Sequence, residues 1–512
     1  LRKKHLKSSL PISVTIDSSS PTPLYRQLYT QIREGILQGR FPRQNLLPST
    51  RGLAKELGVS RNTVITAFEQ LLAEGYLEGK IGVGTYVTAS LPEDSWLFRD
   101  DETKTKTLIT TRELSKRGQL LASTPLSVSS EFGVDDGNLN AFQIGLPSLE
   151  DFPFDIWAKL SINYWKYPKY NILGYGHPGG YKALREIIAQ YLAIVRAVKC
   201  SLEQVIIVNG AHQAFDLIAR VLLDPGDHVW IEDPCFPGTK AIFQSSESKL
   251  VAVGVDEEGL NVEDGIKRSP NAALAYITPS YQFPLGVTMS LNRRLALLDW
   301  AHNSNAWIVE DDYVSELRYD MLPVASVQGL DQDERVIYVG TFSKILLPAL
   351  RIGYLVVPKK LIKAFLNARA FAGRYSNPVD QAVLAEFISQ GHLSRHIRRM
   401  CKLYGTRQKA LVDFLANNSE GLFTTTSIKA GAHLVAWLPR EIDDKLLAAY
   451  LNQNQIICSP LSLYQLEKTQ NPGLILGYTT LSVEEIERAA KKLVVLTKAF
   501  ISENTIKIKN KG

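Results

Sequence analysis

The sequence predicts an α/β protein in two parts: a small helical module with a wing at the N-terminus, and a large domain on a mostly parallel sheet. Three observations carry that reading. Beyond residue 130, short apolar runs (Val205–Val208, Leu274–Ile277, Trp307–Val309, Val336–Val339) alternate with helical patterns, as in sheets with helices on both faces. Near the N-terminus, two capped helical patterns flank the tight turn Gly58-Val59. The charge is also lopsided. Residues 1–90 hold twelve Lys/Arg against six Asp/Glu, while the other 422 hold 46 of each, so the whole net charge of +6 sits at one end. A basic module on a neutral body points to nucleic acid.

Composition narrows the class further. A chain of 512 residues, 45% hydrophobic and 21% charged, can bury sizeable cores. No apolar stretch approaches the ~18 residues of a membrane span. The basic start is followed by Ser and Pro rather than an apolar run, unlike a secretory signal. Cys200, Cys235, Cys401 and Cys458 lie far apart, which suggests reduced thiols in a cytoplasm and no structural metal site.

The elements of the first module follow in order. Pro23-Leu24 opens a helix on which Leu24, Leu28, Ile32 and Ile36 recur every four residues before Gly39. In Leu47-Pro48-Ser49-Thr50-Arg51, Ser49 or Thr50 can cap a short helix to about Leu57. Ser60 then caps a helix with Val64, Phe68, Leu71 and Leu72 as its buried stripe. Arg61, Asn62 and Thr63 stand at its N-terminal end, the end that reaches base edges in a major groove. A hairpin-like stretch, Gly79 to Val87, has the glycines of a tight wing.

Residues 91–130 read as a polar linker with room for a helical turn. Four blocks in the large region beyond it carry chemistry. Thr341-Phe342-Ser343-Lys344 follows an apolar strand, so Lys344 emerges at a strand's carboxyl end, where α/β proteins place ligands. A lysine there, beside hydroxyls that can hold a phosphate, suits a Schiff-base amine, and Arg351 can add a phosphate contact. Glu310-Asp311-Asp312-Tyr313 offers a carboxylate for a pyridine nitrogen and a phenol for its 3-oxygen; a surface acidic cluster or metal ligands would look the same in isolation. Asn209-Gly210-Ala211-His212-Gln213 opens a helix whose N–H groups can hold an anion. In Glu232 to Gly238, Phe236 can stack on a planar ring or fill a core.

The first module resembles a GntR-type winged helix in Pro48 to Ala54, Gly58 to Val64, Glu74-Gly75-Tyr76-Leu77 and Gly82-Val83-Gly84-Thr85. The resemblance implies DNA contacts by Arg51, Ser60, Arg61, Asn62, Thr63, Lys80 and Thr85. From about Phe142 to Val495, the four blocks in their order look like a fold-type I aminotransferase-like domain of class I/II with a smaller C-terminal α+β subdomain. So does Gly174-Tyr175-Gly176-His177-Pro178-Gly179-Gly180. That resemblance implies pyridoxal 5'-phosphate as cofactor, with Lys344 as the catalytic lysine that bonds it and Asp311 as partner of the ring nitrogen. It also puts Tyr313 on the 3-oxygen and Phe236 on the ring face, with Ala211, His212, Thr341, Ser343 and Arg351 around the phosphate. Tyr175 would reach a partner subunit's phosphate.

The combination resembles the MocR/GabR regulators. It implies a tail (1–20), a winged helix (21–90), a linker (91–130), an aminotransferase-like domain (131–505) and a basic tail (506–512). It further implies a cytoplasmic, head-to-tail homodimer that binds double-stranded DNA at direct or inverted repeats and senses an amine or amino-acid effector, or the cofactor itself. Little or no transaminase turnover is expected; an active aminotransferase that also binds DNA is the alternative. Two departures stand out. Tyr281 and Phe283 replace the family's frequent His and the aminotransferases' usual Asn. Ile475 stands where aminotransferases carry the arginine that pairs with a substrate carboxylate, with Arg374 or Arg318 as possible substitutes.

Overall fold

The computed structural model describes residues 14–80, 83–92, 113–123, 141–320, 324–374, 376–425, 430–467 and 471–509. The chain divides into two compact units, Leu1–Arg112 and Glu113–Gly512.

In the first unit, α1 (Leu24–Leu37), α2 (Thr50–Leu57) and α3 (Arg61–Ala73) close on a core of Leu28, Ile32, Leu53, Val64, Phe68 and Leu71. Ser49 caps α2, its Oγ accepting from Gly52 N–H at 3.1 Å. Gly58, at φ 68°, takes the left-handed turn that ends α2. Strands β1 (Leu77–Lys80) and β2 (Gly84–Val87) form the antiparallel wing, with Lys80 opposite Gly84. Two expectations change here. Leu72 is 37% exposed and Ala67 is buried in its stead, because the 3.6-residue period carries the stripe from Val64 through 67/68 to Leu71. The expected tail, over its described residues 14–20, is tied to α1. Thr15 and Gln31 exchange hydrogen bonds of 3.0 and 2.6 Å, Asp17 N–H donates to Gln27 Oε1, and Val14 and Ile16 pack on the core. The basic start of the chain, Arg2, Lys3, Lys4 and Lys7, lies outside the described residues.

The second unit opens with α4 (Lys116–Ser123), a two-turn helix where the sequence left room for one. Its sheet has eight strands: β3 (Val205–Val208), β4 (His228–Asp233), β5 (Lys249–Asp256), β6 (Gly259–Leu260), β7 (Leu274–Ile277), β8 (Trp307–Asp312), β9 (Val336–Thr341) and β10 (Gly353–Val356). Their spatial order is β3-β10-β9-β8-β7-β4-β5-β6. Strands β9, β8, β7, β4 and β5 pair in parallel, and β10 and β6 are antiparallel to their neighbours. Valine and isoleucine fill the strands because both faces are covered, which is why the runs are continuously apolar rather than alternating. A smaller antiparallel sheet near the C-terminus has the order β11 (Thr424–Thr425), β12 (His433–Trp437), β14 (Gly473–Gly477), β13 (Ser459–Pro460). The helices His392–Asn418 and Val483–Lys509 belong to this end. The second corrects the expected tail at 506, since the helix runs through Lys509.

Candidate functional site

The parallel strands point the same way, so the residues at their carboxyl ends converge on one cavity of about 610 Å³. The three acids that end β8 separate by strand alternation. Glu310 accepts from Val327 N–H and Gln328 N–H at 3.0 and 2.9 Å, fastening the chain before β9. Asp312 pairs with Arg196 Nε at 2.8 Å and accepts from Tyr338 Oη. Asp311, between them, faces the cavity. Its Oδ2 accepts from Tyr276 Oη at 2.7 Å, while its buried Oδ1 has no hydrogen-bond partner among the described residues. Tyr313 Oη is likewise buried and unpartnered there.

Lys344 lies just past β9, and its Nζ donates to Gly145 O at 2.7 Å. Burial lowers its pKa to about 8; the charge of Asp311 works against that and the charge of Arg351 adds to it. Burial also raises Asp311 to about 7, which the Tyr276 hydroxyl opposes and Asp312 reinforces. Past β3, Gly210 at φ 92° starts the helix Ala211–Leu222, and a Cβ on it would lie 3.3 Å from the Arg351 guanidinium. Arg351 is anchored by its bond to Asn209 O, 2.9 Å. Past β4, Phe236 stands edge-on to His212 and Phe283, at 5.6 and 5.7 Å. A Cβ on Gly238 would come within 2.5 Å of the Phe236 ring, so only glycine lets the ring lie there.

Nine of the ten expected cofactor residues line this cavity: Lys344, Asp311, Tyr313, Phe236, Ala211, His212, Thr341, Ser343 and Arg351. Tyr175 does not; it is 83% exposed, with the Arg374 guanidinium over its ring at 5.5 Å. Two of the lining residues that escaped the sequence reading bear on the chemistry. Tyr276 sits inside an apolar strand, where a phenol amid Leu274, Ala275 and Ile277 was the one available signal. His433 begins β12; burial lowers its pKa to about 4, and its Nε2 meets Pro284 O at 3.1 Å. Nothing local marked it.

Tyr281 turns away from the cavity and donates to His433 O at 2.6 Å, while Phe283 lines the wall. Ile475 is fully buried among Ile144, Phe283, Val435, Leu461 and Tyr464. Arg318 is taken by Asp320 at 3.1 Å, and neither it nor Arg374 lines the cavity.

On the first unit, Ser60 caps α3. Its Oγ accepts from Thr63 N–H at 3.1 Å and lies 2.9 Å from Thr63 Oγ1, so these two hydroxyls hold the helix end. Arg51, Arg61 and Asn62 are exposed, and Thr85 is half-buried on the wing. Lys80 is exposed over the Tyr86 ring at 5.0 Å.

A pyridoxal phosphate fits the large unit's cavity on these observations. Two buried polar atoms await partners at Asp311 and Tyr313, a lysine has its amine at lowered pKa, and a helix start with an arginine suits an anion.

Fold and cavity together define the class: a winged helix–turn–helix joined to an aminotransferase-type cofactor domain. The chain belongs to the aminotransferase class I and II family, which matches residues 153–493, and carries ahead of it a match over 24–87 to the bacterial regulatory proteins of the gntR family. It is similar to the probable rhizopine catabolism regulatory protein MocR of Rhizobium meliloti, 39% identical over 94% of this chain and 95% of that one. It is also similar to the pyridoxine biosynthesis transcriptional regulator PdxR of Corynebacterium glutamicum, 29% identical over 92% and 95%. Among solved structures, the Pyrococcus horikoshii kynurenine aminotransferase in complex with PMP aligns with a TM-score of 0.66 and 27% identity, over 79% of this chain and 98% of that one.

Proposed function

We propose that this chain is a pyridoxal-phosphate-dependent, DNA-binding transcription regulator whose large unit senses an amine or amino-acid effector, or the cofactor itself, through Lys344. The observation that carries the reading is the pairing of Lys344 and Asp311 in one cavity, on a chain that also presents a capped helix with Arg61 exposed at its N-terminal end. When bound, pyridoxal phosphate supplies an aldehyde carbon that takes up amines and a ring that withdraws electrons. Lys344, with a pKa near 8, keeps part of its amine neutral at physiological pH and so able to bond that carbon. Asp311 accepts from the ring nitrogen and holds a proton there. Tyr313 would donate to the 3-oxygen and Phe236 would cover the ring. Ala211, His212, Thr341, Ser343 and Arg351 receive the phosphate.

On the small unit, Arg61 and Asn62 read base edges, and Arg51, Lys80 and Thr85 hold phosphates. Ser60 and Thr63 keep the helix end in shape. Tyr175, an exposed ring like Tyr170 and Phe371, supports a homodimer in which it reaches the other copy. Among the described residues no helix is long and apolar enough to cross a membrane.

The test is direct. Protein purified with pyridoxal phosphate should be yellow, and borohydride should fix the label on the peptide containing Lys344 and leave Lys344→Ala unlabelled. Salt-sensitive binding to its own upstream DNA should accompany it. A colourless protein, or a label elsewhere, sinks the cofactor reading, and absent DNA binding sinks the regulator. The intact Lys344–Asp311 pair also favours a second reading, an active aminotransferase; sustained multiple turnovers on an amino acid would establish that instead.

A further inference from the structure

We infer that the ligand sensed in this cavity is a primary amine on an uncharged body, and not an amino acid. The inference rests on the sensor reading above and names its ligand class. It starts from the charges that line the cavity. Among the described residues these are Lys344, Arg351 and Asp311. Lys344 is held for the cofactor's carbon, and Arg351 stands against the helix start at Gly210, where the phosphate goes. His212 and His433 add no positive charge, because burial keeps both neutral. Among the described residues no lining cation remains for a carboxylate.

The wall offers no charge in its place. Phe236, Phe283 and Tyr313 face the cavity, and they pack with a hydrophobic cluster that includes Ile144, Val435, Leu461 and Ile475. Ile475 sits on β14 with Val435 of β12 and Ser459 of β13 beside it in register, so its position is fixed from both sides. A carboxylate pressed against this wall would lose its water and gain no partner. His433 sharpens the preference. Its Nε2 meets a carbonyl oxygen, which can only accept, so the proton is on Nε2 and Nδ1 is left as an acceptor. An acceptor suits a hydroxyl or an N–H and repels a carboxylate. The two arginines offered as substitutes are engaged elsewhere, Arg318 with Asp320 and Arg374 over Tyr175.

The experiment compares matched pairs on the full-length protein with pyridoxal phosphate bound: ethanolamine against serine, phenethylamine against phenylalanine, and propylamine against γ-aminobutyrate. Binding is read by calorimetry and by the cofactor's absorbance, and operator affinity is measured alongside. Each amine that binds should do so at least about tenfold more tightly than its carboxylate counterpart, a discrimination of ~1.4 kcal/mol. Ile475→Arg should narrow or reverse the preference; Ile475→Val, which keeps the wall apolar, should retain it and covers the case in which the arginine variant does not fold. Equal or tighter binding of the amino acids overturns this inference and leaves the sensor reading standing. Amine-selective binding that leaves DNA affinity unchanged overturns the sensor reading and leaves the ligand class. Binding of neither series overturns both.

Discussion

Asp311 and Lys344 are each held in a protonation balance that the fold dislikes, and the sign of that strain is testable. The Asp311 carboxyl is raised from an ordinary 3.8 to about 7, so its contribution to stability is full in acid and is lost as pH rises through 7. Lys344 has the opposite sign: lowered from 10.5 to about 8, it contributes above 10.5 and loses that as pH falls through 8. In cofactor-free protein, Asp311→Asn keeps an acceptor for Tyr276 and removes the buried charge. It should stabilise the fold at pH 8 by on the order of 1–4 kcal/mol, narrowing progressively toward pH 4. With cofactor bound the same change should loosen the cofactor, because the ring nitrogen loses its anion. Melting curves across pH decide this, and a pH-independent difference would refute it. Lys344 and Asp311 were readable in the sequence because each follows an apolar strand run that fixes where it emerges. Tyr276 and His433 were not. A tyrosine in an apolar strand looks like core, and the His433 ring reaches the cavity from the other sheet, by packing that no local pattern encodes.

At the scale of elements, the same distinction decides what was legible. The strands and α1–α3 follow from period and caps. The pairing of residues 14–17 with Gln27 and Gln31 depends on side chains meeting an extended backbone, and polar, Ser-rich composition hid it. Helix α4 is the informative case. Ser115 Oγ accepts from Gly118 N–H at 3.0 Å, but none of the helix is buried, and an eight-residue helix of two turns alone is marginal. Its ion pair, Arg117 to Glu247 at 3.7 Å, is exposed on both sides and contributes about 0–1 kcal/mol. Yet Leu121 of this weakly held helix lines the cofactor cavity. Leu121→Ala should therefore leave the melting temperature nearly unchanged, within about 0.5 kcal/mol, as surface changes do. It should weaken amine binding about fivefold, the equivalent of ~1 kcal/mol of lost apolar contact. Calorimetry beside thermal melting tests the pair. A large drop in stability with unchanged amine affinity would make α4 a structural brace and not part of the ligand wall.

For the whole molecule, the lopsided charge separates two kinds of binding that a single salt titration can tell apart. The surplus of positive charge lies in residues 1–90, but Lys80 is partly offset by Glu78 at 3.6 Å, so affinity for DNA depends on where Arg51 and Arg61 stand more than on bulk charge. Each phosphate neutralised by an exposed cation releases counterions, and the log–log slope of affinity against salt should be about −0.9 per contact. Arg61→Ala should weaken operator binding, and where Arg61 also touches a phosphate the slope should become shallower by about one. The amine site obeys different physics. Its charges line a cavity in which Asp311 is buried, and buried charges are screened by salt much less than exposed ones, in a body whose acids and bases balance. Amine affinity should change less than about threefold over the salt range that abolishes DNA binding, and Arg61→Ala should leave it untouched. Parallel losses of both affinities with salt would mean that the amine is held by surface charge, and Lys344 in its cavity would then not be the receptor.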